Sequence, residues 1–393
     1  MNRSPGIGNV IIREIGRIRK NRLPLVLMII LPLFSLAIMT AIFYSGVPRE
    51  LPVIVYDADN SPLSRLIKRS INATPSMTIV STVENMEEGK RGILAGDGYA
   101  LIVLPKELEK KVYQGRAPFV VCYNNNQFLM ITGIIKTDIT KVIQSISQGI
   151  YIRYRQQNFH ETLQKAQAQS EPIKMDKHLL FNPYLNYMYF LLTALMPAIF
   201  QIFIIVLAVY VCGIELKEGT AKRWLDSAGS SSWKAIAGKL LPYTVIFFMI
   251  ALLTGMLLFL VFRIPFEGNV LYILITTLVF IIAYQAMGLF LVSLTANMRF
   301  SISLAAFYSA PAFAFAGVTF PYFAMPFLGR TWANLLPLTH YLKILIDQSI
   351  RGIPPAFSIN AFLCLALFPI AALLFSIPRM GYLLSHETYW GKL

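Results

Sequence analysis

A P-loop for nucleotide needs G-x-x-x-x-G-K-[ST], since backbone amides cradle phosphate while the lysine and hydroxyl complete the site. The "GKL" at 238–240 has neither the hydroxyl nor the upstream glycine spacing, so no ATPase site is expected in this chain. His160, His178, His340 and His386 are scattered, without the spacing of metal ligands. "DADNSP" (57–62) sets Asp57, Asp59 and Ser61 like half a calcium loop, but the loop's glycine and its distant bidentate glutamate are missing. A plainer reading fits better: a strand ends, Asn60 or Ser61 caps, and Pro62 opens a helix. A G-x-S-x-G elbow and a Cys/His pairing are also lacking. No catalytic residue, metal site or resident cofactor is therefore expected, and a polytopic membrane enzyme finds no constellation to work with.

The elements that would position any site are set by composition. Of 393 residues, 56% are hydrophobic and 14% charged, against about a quarter charged in soluble domains. The net charge of +15 is concentrated by position. Arg3, Arg13, Arg17, Arg19, Lys20 and Arg22 precede the first apolar run, with Glu14 as the single acid among them. Lys217, Lys222, Arg223, Lys234 and Lys239 crowd a second stretch. Both lie where cytoplasmic flanks of membrane spans belong, so orientation explains them better than nucleic acid does. Cys122, Cys212 and Cys364 form no disulfide framework.

A spanning helix needs about 20 mostly apolar residues. Six runs qualify: 23–44, 188–212, 240–262, 270–294, 301–318 and 360–377. The first is too long for a signal-peptide core and has no small-x-small cleavage site after it. The fold class predicted is an α-helical polytopic membrane protein of six transmembrane helices with an inserted α/β extracytoplasmic domain. The basic N-terminus and the C-terminus then both face the cytoplasm. Pro311, Pro321 and Pro326 interrupt the region around the fifth run, so part of it, about 319–345, is expected to re-enter rather than cross.

Ahead of the first run, "NVIIREIGRIRKNR" (9–22) places Ile11, Ile15 and Ile18 on one helical face and Arg13, Arg17 and Lys20 opposite. That spacing predicts a helix lying along the lipid surface within residues 1–22. Residues 45–187 break the apolar pattern. Strands are predicted at 52–56, 77–83, 99–104 and 119–123, with helices at about 62–72, 85–94 and 106–114 between them. A long helix follows from about 128 to 167, with a break at Gly149 and an apolar stripe of Ile135, Ile139, Val142, Ile146 and Ile150.

Within the spans, Gln201, Thr254, Tyr284 and Gln285 are candidates to line a translocation path. Hydrogen bonding between neighbouring helices is the commoner use of such groups. Mid-span Asp, Glu, Lys and Arg are lacking, which argues against ion-coupled transport. "PLTHYLKILIDQSIRG" (337–352) puts His340, Lys343 and Asp347 on one helix face, with Lys343 and Asp347 able to pair. They could gate the outer surface, though charges snorkelling from an interfacial helix is the ordinary reading.

One polar stretch remains, "GIELKEGTAKRWLDSAGSSSWKAIAGK" (213–239), caught between two spans. Lys217 to Leu225 can form a short helix, and Gly219 allows close backbone approach. Docking to a soluble partner and a solvated loop over lipid phosphates are both open on physics alone. The stretch resembles the cytoplasmic coupling segment of ABC-2-type permeases, the membrane subunits of ABC transporters. In that family a glutamate and then glycine–threonine precede a leucine-rich turn, and glycine–lysine opens the third span. Glu215, Glu218, Gly219, Thr220, Leu225, Gly238 and Lys239 match. "LDSAG" (225–229) departs from it, since a proline-containing turn is usual there. "FAGVTFPYFAMP" (315–326) and "LLPLTHYL" (335–342) are similar to the family's re-entrant segment, which brings Gly317, Pro321, Pro326 and Pro337 into the outer gate with His340, Lys343 and Asp347. "VIVYDADNSPLSRLI" (53–67) resembles the first strand–helix unit of the subgroup with a large extracytoplasmic domain.

The resemblance implies a permease in a bacterial inner membrane, working as a homodimer or with a sister permease, and exporting an amphiphile such as a drug or lipid. Separate ATPase subunits would bind ATP and magnesium and push on the coupling segment. Residues 8–22 would be the family's connecting helix, and a periplasmic adaptor could meet the outer domain. The rival from another class is a membrane receptor or scaffold that binds a ligand through that domain and transports nothing.

Overall fold

The computed structural model describes residues 5–170, 180–182 and 186–391; His178 and Arg3 lie outside them. The chain forms two compact units, one of residues 1–44 and 186–393 and the other Ser45–Leu185.

The first unit begins with α1 (Ile7–Lys20) and α2 (Arg22–Phe43), the latter carrying a π turn at Val26–Ile30. The face of α1 that packs differs from the one its isoleucines predict. Val10, Glu14 and Ile18 are buried, whereas Ile12 and Ile15 are exposed. The face packed on protein is centred on a charged residue whose partners lie on other helices.

The second unit holds β1 (Leu51–Asp57), α3 (Pro62–Asn72), β2 (Met77–Val83), α4 (Met86–Ala95), β3 (Ala100–Leu104), α5 (Leu108–Tyr113) and β4 (Val121–Asn124). The sheet order is β2-β1-β3-β4, parallel except for β4. Strand alternation sends Val53, Val55 and Ile102 to one face, where Ile67 and Ile71 of α3 cover them. Ile54 and Leu101 point to the other face, with Met86 and Ile93 of α4. The long helix α6 (Leu129–Phe159) adds Ile135 and Ile139 to the first face. It runs unbroken through Gly149 and ends where His160 turns left-handed (φ 53°), before α7 (Leu163–Ser170). A helical glycine costs about 1 kcal/mol, which turns on either side can sustain.

"DADNSP" is a capping turn. Asp57 accepts the amides of Asp59 and Asn60 and meets Lys68 at 2.6 Å, and Ser61 caps α3 by accepting from the Ser64 amide. Asp59 accepts from the amides of Leu108 and Glu109 at the start of α5.

The membrane unit resumes with α8 (Met188–Lys217), α9 (Ala221–Ser227), α10 (Ser232–Val261) and α11 (Val270–Thr295). It closes with α12 (Met298–Ser309), α13 (Ala312–Phe315), α14 (Phe327–Asn334), α15 (Pro337–Ser349) and α16 (Pro355–Ser385). Among the described residues five helices are long and apolar enough to cross a membrane: α2, α8, α10, α11 and α16. The fifth expected span is not one helix. Pro311 has no amide to donate and its ring crowds the preceding turn, so α12 stops after 12 residues. That length rises only about 18 Å, short of a hydrocarbon core of about 30 Å. At the centre, α11 packs on both α8 and α16 and buries Phe280, Ile281, Leu289 and Val292.

Candidate functional site

The 213–239 stretch is a tight helical hairpin. Gly219 takes φ 65°, a left-handed turn that favours glycine, and the Thr220 amide returns to the Glu215 carbonyl at 2.9 Å. The glycine is needed for this turn and not for close approach, since a Cβ built there meets nothing within 4 Å. Gly229 and Ser230, both left-handed, turn the chain out of α9 in place of a proline. Gly238 is the close approach: a Cβ there would sit 2.8 Å from Val10 Cβ and 2.9 Å from the Ile7 carbonyl oxygen. Thus α10 lies directly against α1.

That approach places an ion-pair cluster in the packed interior. Glu215 and Lys239 are fully buried and Glu14 is 2% exposed. Lys239 Nζ donates to Glu14 Oε2 at 2.7 Å and to Glu215 Oε1 at 2.8 Å. Arg13 grips Glu215 with both guanidinium nitrogens at 2.7 Å, and Arg17 reaches Glu215 Oε1 at 2.6 Å. The Thr220 hydroxyl donates to Glu215 Oε2, and Tyr243 OH donates to Glu14 Oε1 at 2.7 Å. Arg17 also bonds Glu218 at the half-exposed rim, 2.7 Å. Lys239 Nζ lies 4.9 Å from the ring centre of buried Trp224, whose indole N–H donates to the Ala235 carbonyl at 3.0 Å. Glu14, Glu215 and Glu218 balance Arg13, Arg17 and Lys239, as burial demands of charges. Both chain ends are tied to the hairpin as well: the Gly6 amide donates to the Ser227 carbonyl and the Gly391 amide to the Leu216 carbonyl, each at 3.0 Å.

Of the residues singled out from sequence, Glu215, Thr220 and Lys239 therefore meet in one cluster, Glu218 stands at its rim, Gly219 and Gly238 shape it, and Leu225 is half-buried beside it. Glu14, Arg13, Arg17, Trp224 and Tyr243 were missed. Two signals pointed to them: Glu14 is the lone acid in a basic segment, and Tyr243 follows Lys239 by one helical turn.

The path candidates are not brought together. Gln201 donates to the Ser309 carbonyl at 3.2 Å, Gln285 accepts from Thr244 at 2.7 Å, and Tyr284 OH accepts the Leu338 amide at 3.2 Å. These are bonds between helices. Thr254 bonds its own turn at Ile250 and lines a cavity. In the outer set, Gly317 turns left-handed at φ 80°, Pro321 and Pro326 precede short helical turns, and Pro337 opens α15. His340 Nε2 lies 3.1 Å from the Asn334 carbonyl oxygen. Lys343 is exposed and does not pair with Asp347, which instead holds Arg351 at 3.0 Å and Ser358 Oγ at 3.2 Å. Asp347 is 2% exposed and Lys343 projects from the helix, so the neighbour one turn later captures the carboxylate.

The family model described as ABC-2 family transporter protein matches residues 24–377. The chain belongs to the ABC-2 transporter family. It is 21% identical over 297 residues to the probable multidrug ABC transporter permease YbhS of Escherichia coli K12, covering 75% of this chain and 76% of that protein. It is 20% identical over 298 residues to the probable multidrug ABC transporter permease YbhR of the same strain, covering 74% and 76%. The ABC-2 match takes in the hairpin and the whole α8–α11 framework that buries Glu215 and Lys239. It leaves α1, with Glu14, Arg13 and Arg17, just outside the matched residues.

Proposed function

We propose that this ABC-2 permease is the passive gate of an exporter in a bacterial inner membrane, driven by separate ATP-binding subunits that hold ATP and magnesium. Those subunits would dock on the exposed face of the hairpin, formed by Glu218, Lys222, Arg223 and Asp226. The observation that carries the reading is the buried cluster behind that face. No member can withdraw without stranding a charge in the interior, which is strongly unfavourable. A push on the hairpin is therefore delivered to α1, α8 and α10 together. In this reading six crossings, the fifth made by α12 and α13, leave both termini in the cytoplasm. Residues 45–185 stand outside, the permease pairs with a second copy or a sister chain, and the cargo is an amphiphile of drug or lipid type. A periplasmic adaptor would take it from the outer unit.

The test is co-purification with a candidate ATPase in nanodiscs. Glu218→Arg is expected to cut cargo-stimulated ATP turnover at least fivefold while the protein still folds. Stimulation equal to the native protein would remove the docking assignment.

A further inference from the structure

At the end of the membrane unit away from the hairpin, a cavity of about 590 Å³ opens between the start of α8, the end of α10, the start of α11 and α15. Drug-sized ligands occupy sites of about 300–1,000 Å³ that are mostly apolar with a few polar groups. Among the described residues no Asp, Glu, Lys, Arg or His lines this one. Its polar side chains are Thr193, Thr254, Thr277 and Tyr341. Thr254 is used by its own helix, and the Thr277 and Tyr341 hydroxyls bond each other at 3.1 Å. Thr193 is different: it is 1% exposed, and its Oγ1 has no partner among the described residues. A buried hydroxyl left unpaired is costly and calls for a missing partner. Thr193 directly follows the π turn Met188–Leu192, and the facing wall carries a second π turn, Leu257–Val261. Such turns concentrate at functional sites. Gly255 lines the cavity, and a Cβ built there meets nothing within 4 Å.

We propose that this cavity binds an uncharged, largely apolar molecule of drug size that presents one hydroxyl, amide or carbonyl to Thr193 Oγ1. A charged head is excluded because the lining has nothing to pair it with. The site deepens the transport reading and rests on it only in treating the occupant as cargo.

The test photolabels the full chain in phosphatidylcholine nanodiscs with a diazirine-bearing hexadecanol and maps the adducts by mass spectrometry. Saturable labelling is expected on 193–200 and 250–260. Gly255→Phe fills the cavity and should lower it fivefold or more, leaving adducts on exposed Leu363 and Leu374 unchanged. Thr193→Val should weaken the alcohol about three- to tenfold, the worth of one hydrogen bond, without affecting the matching hydrocarbon probe. That pair decides the question even if Gly255→Phe fails to fold. Labelling that does not saturate, that survives Gly255→Phe in folded protein, that ignores Thr193→Val, or that is matched by a quaternary ammonium analogue overturns the site. In delipidated protein, added phosphatidylcholine displaces the probe if a lipid tail is the natural occupant, and leaves it bound if a free amphiphile is; either outcome supports a neutral-chain site. Saturable labelling without ATP-driven export keeps the site and drops the transport reading. Export undiminished in Gly255→Phe overturns the cargo assignment.

Discussion

Glu215 is the shared acceptor of Arg13, Arg17, Lys239 and Thr220, so its loss would take both carboxylate bonds from Arg13, leave Lys239 to Glu14 and Arg17 to Glu218, and open a void between them. Breaking a buried pair costs about 3–5 kcal/mol. Glu215→Ala should therefore lower the thermal unfolding temperature in detergent markedly, and an unchanged melting curve would show that the cluster does not hold the helices. Asp57 makes a separate prediction. Burial alone would raise its carboxyl, but Lys68, the Asn60 amide and Ser64 outweigh that and hold it below the usual carboxylate range. Because the folded value is depressed, the stabilisation is present above the unfolded value of about 3.9. It disappears as pH falls through the lower folded value. Hydrogen-exchange protection of β1 in native protein and in Asp57→Asn should differ by a constant amount from pH 8 to about 5, the gap closing below about 4. A gap that widens in acid would contradict the ion pair. Both carboxylates stood in plain sight in the sequence, but only the turn that holds Asp57 could be read locally, as a strand end followed by a helix capped at Asn60 or Ser61. The farthest donor to Glu215 lies 202 residues distant.

Among elements, the contact of α1 with α10 depends on a missing side chain. Gly238→Val puts methyl groups against the Ile7 carbonyl, a backbone atom that cannot rotate away. It should lift α1 and open Arg13 and Arg17 to trypsin, with cleavage about tenfold faster by the open-population argument; equal cleavage would mean that α1 is held by something else. The protein-packed face of α1 was not legible because apolar periodicity registers isoleucines and is blind to a glutamate buried by its partners. That the fifth run is not one continuous helix was hidden for a related reason. Hydropathy counts residues, whereas Pro311 ends the helix by removing a donor. The strands of the second unit and the helices between them, by contrast, sit within a few residues of their predicted places, because a change of period from 2 to 3.6 is local.

For the molecule as a whole, the two units have separate cores, so deleting 46–184 should leave the membrane unit assembled. If the outer unit hands cargo to an adaptor, as proposed, export measured in cells should fall while ATPase binding persists. Full export by the truncated protein would dismiss the handover role.

By itself the sequence determined that the chain is built for a membrane, where its apolar runs lie, and where strand–helix alternation interrupts them. Those properties reside in composition and in neighbours a few residues apart. Tertiary structure alone decided that Glu14 and Lys239, 225 positions apart, neutralise one another, that Asp347 chooses Arg351 over Lys343, and that Thr193 Oγ1 has no partner among the described residues. The pairing of buried charges and the shape of a void depend on which helices come together, and no local period encodes that.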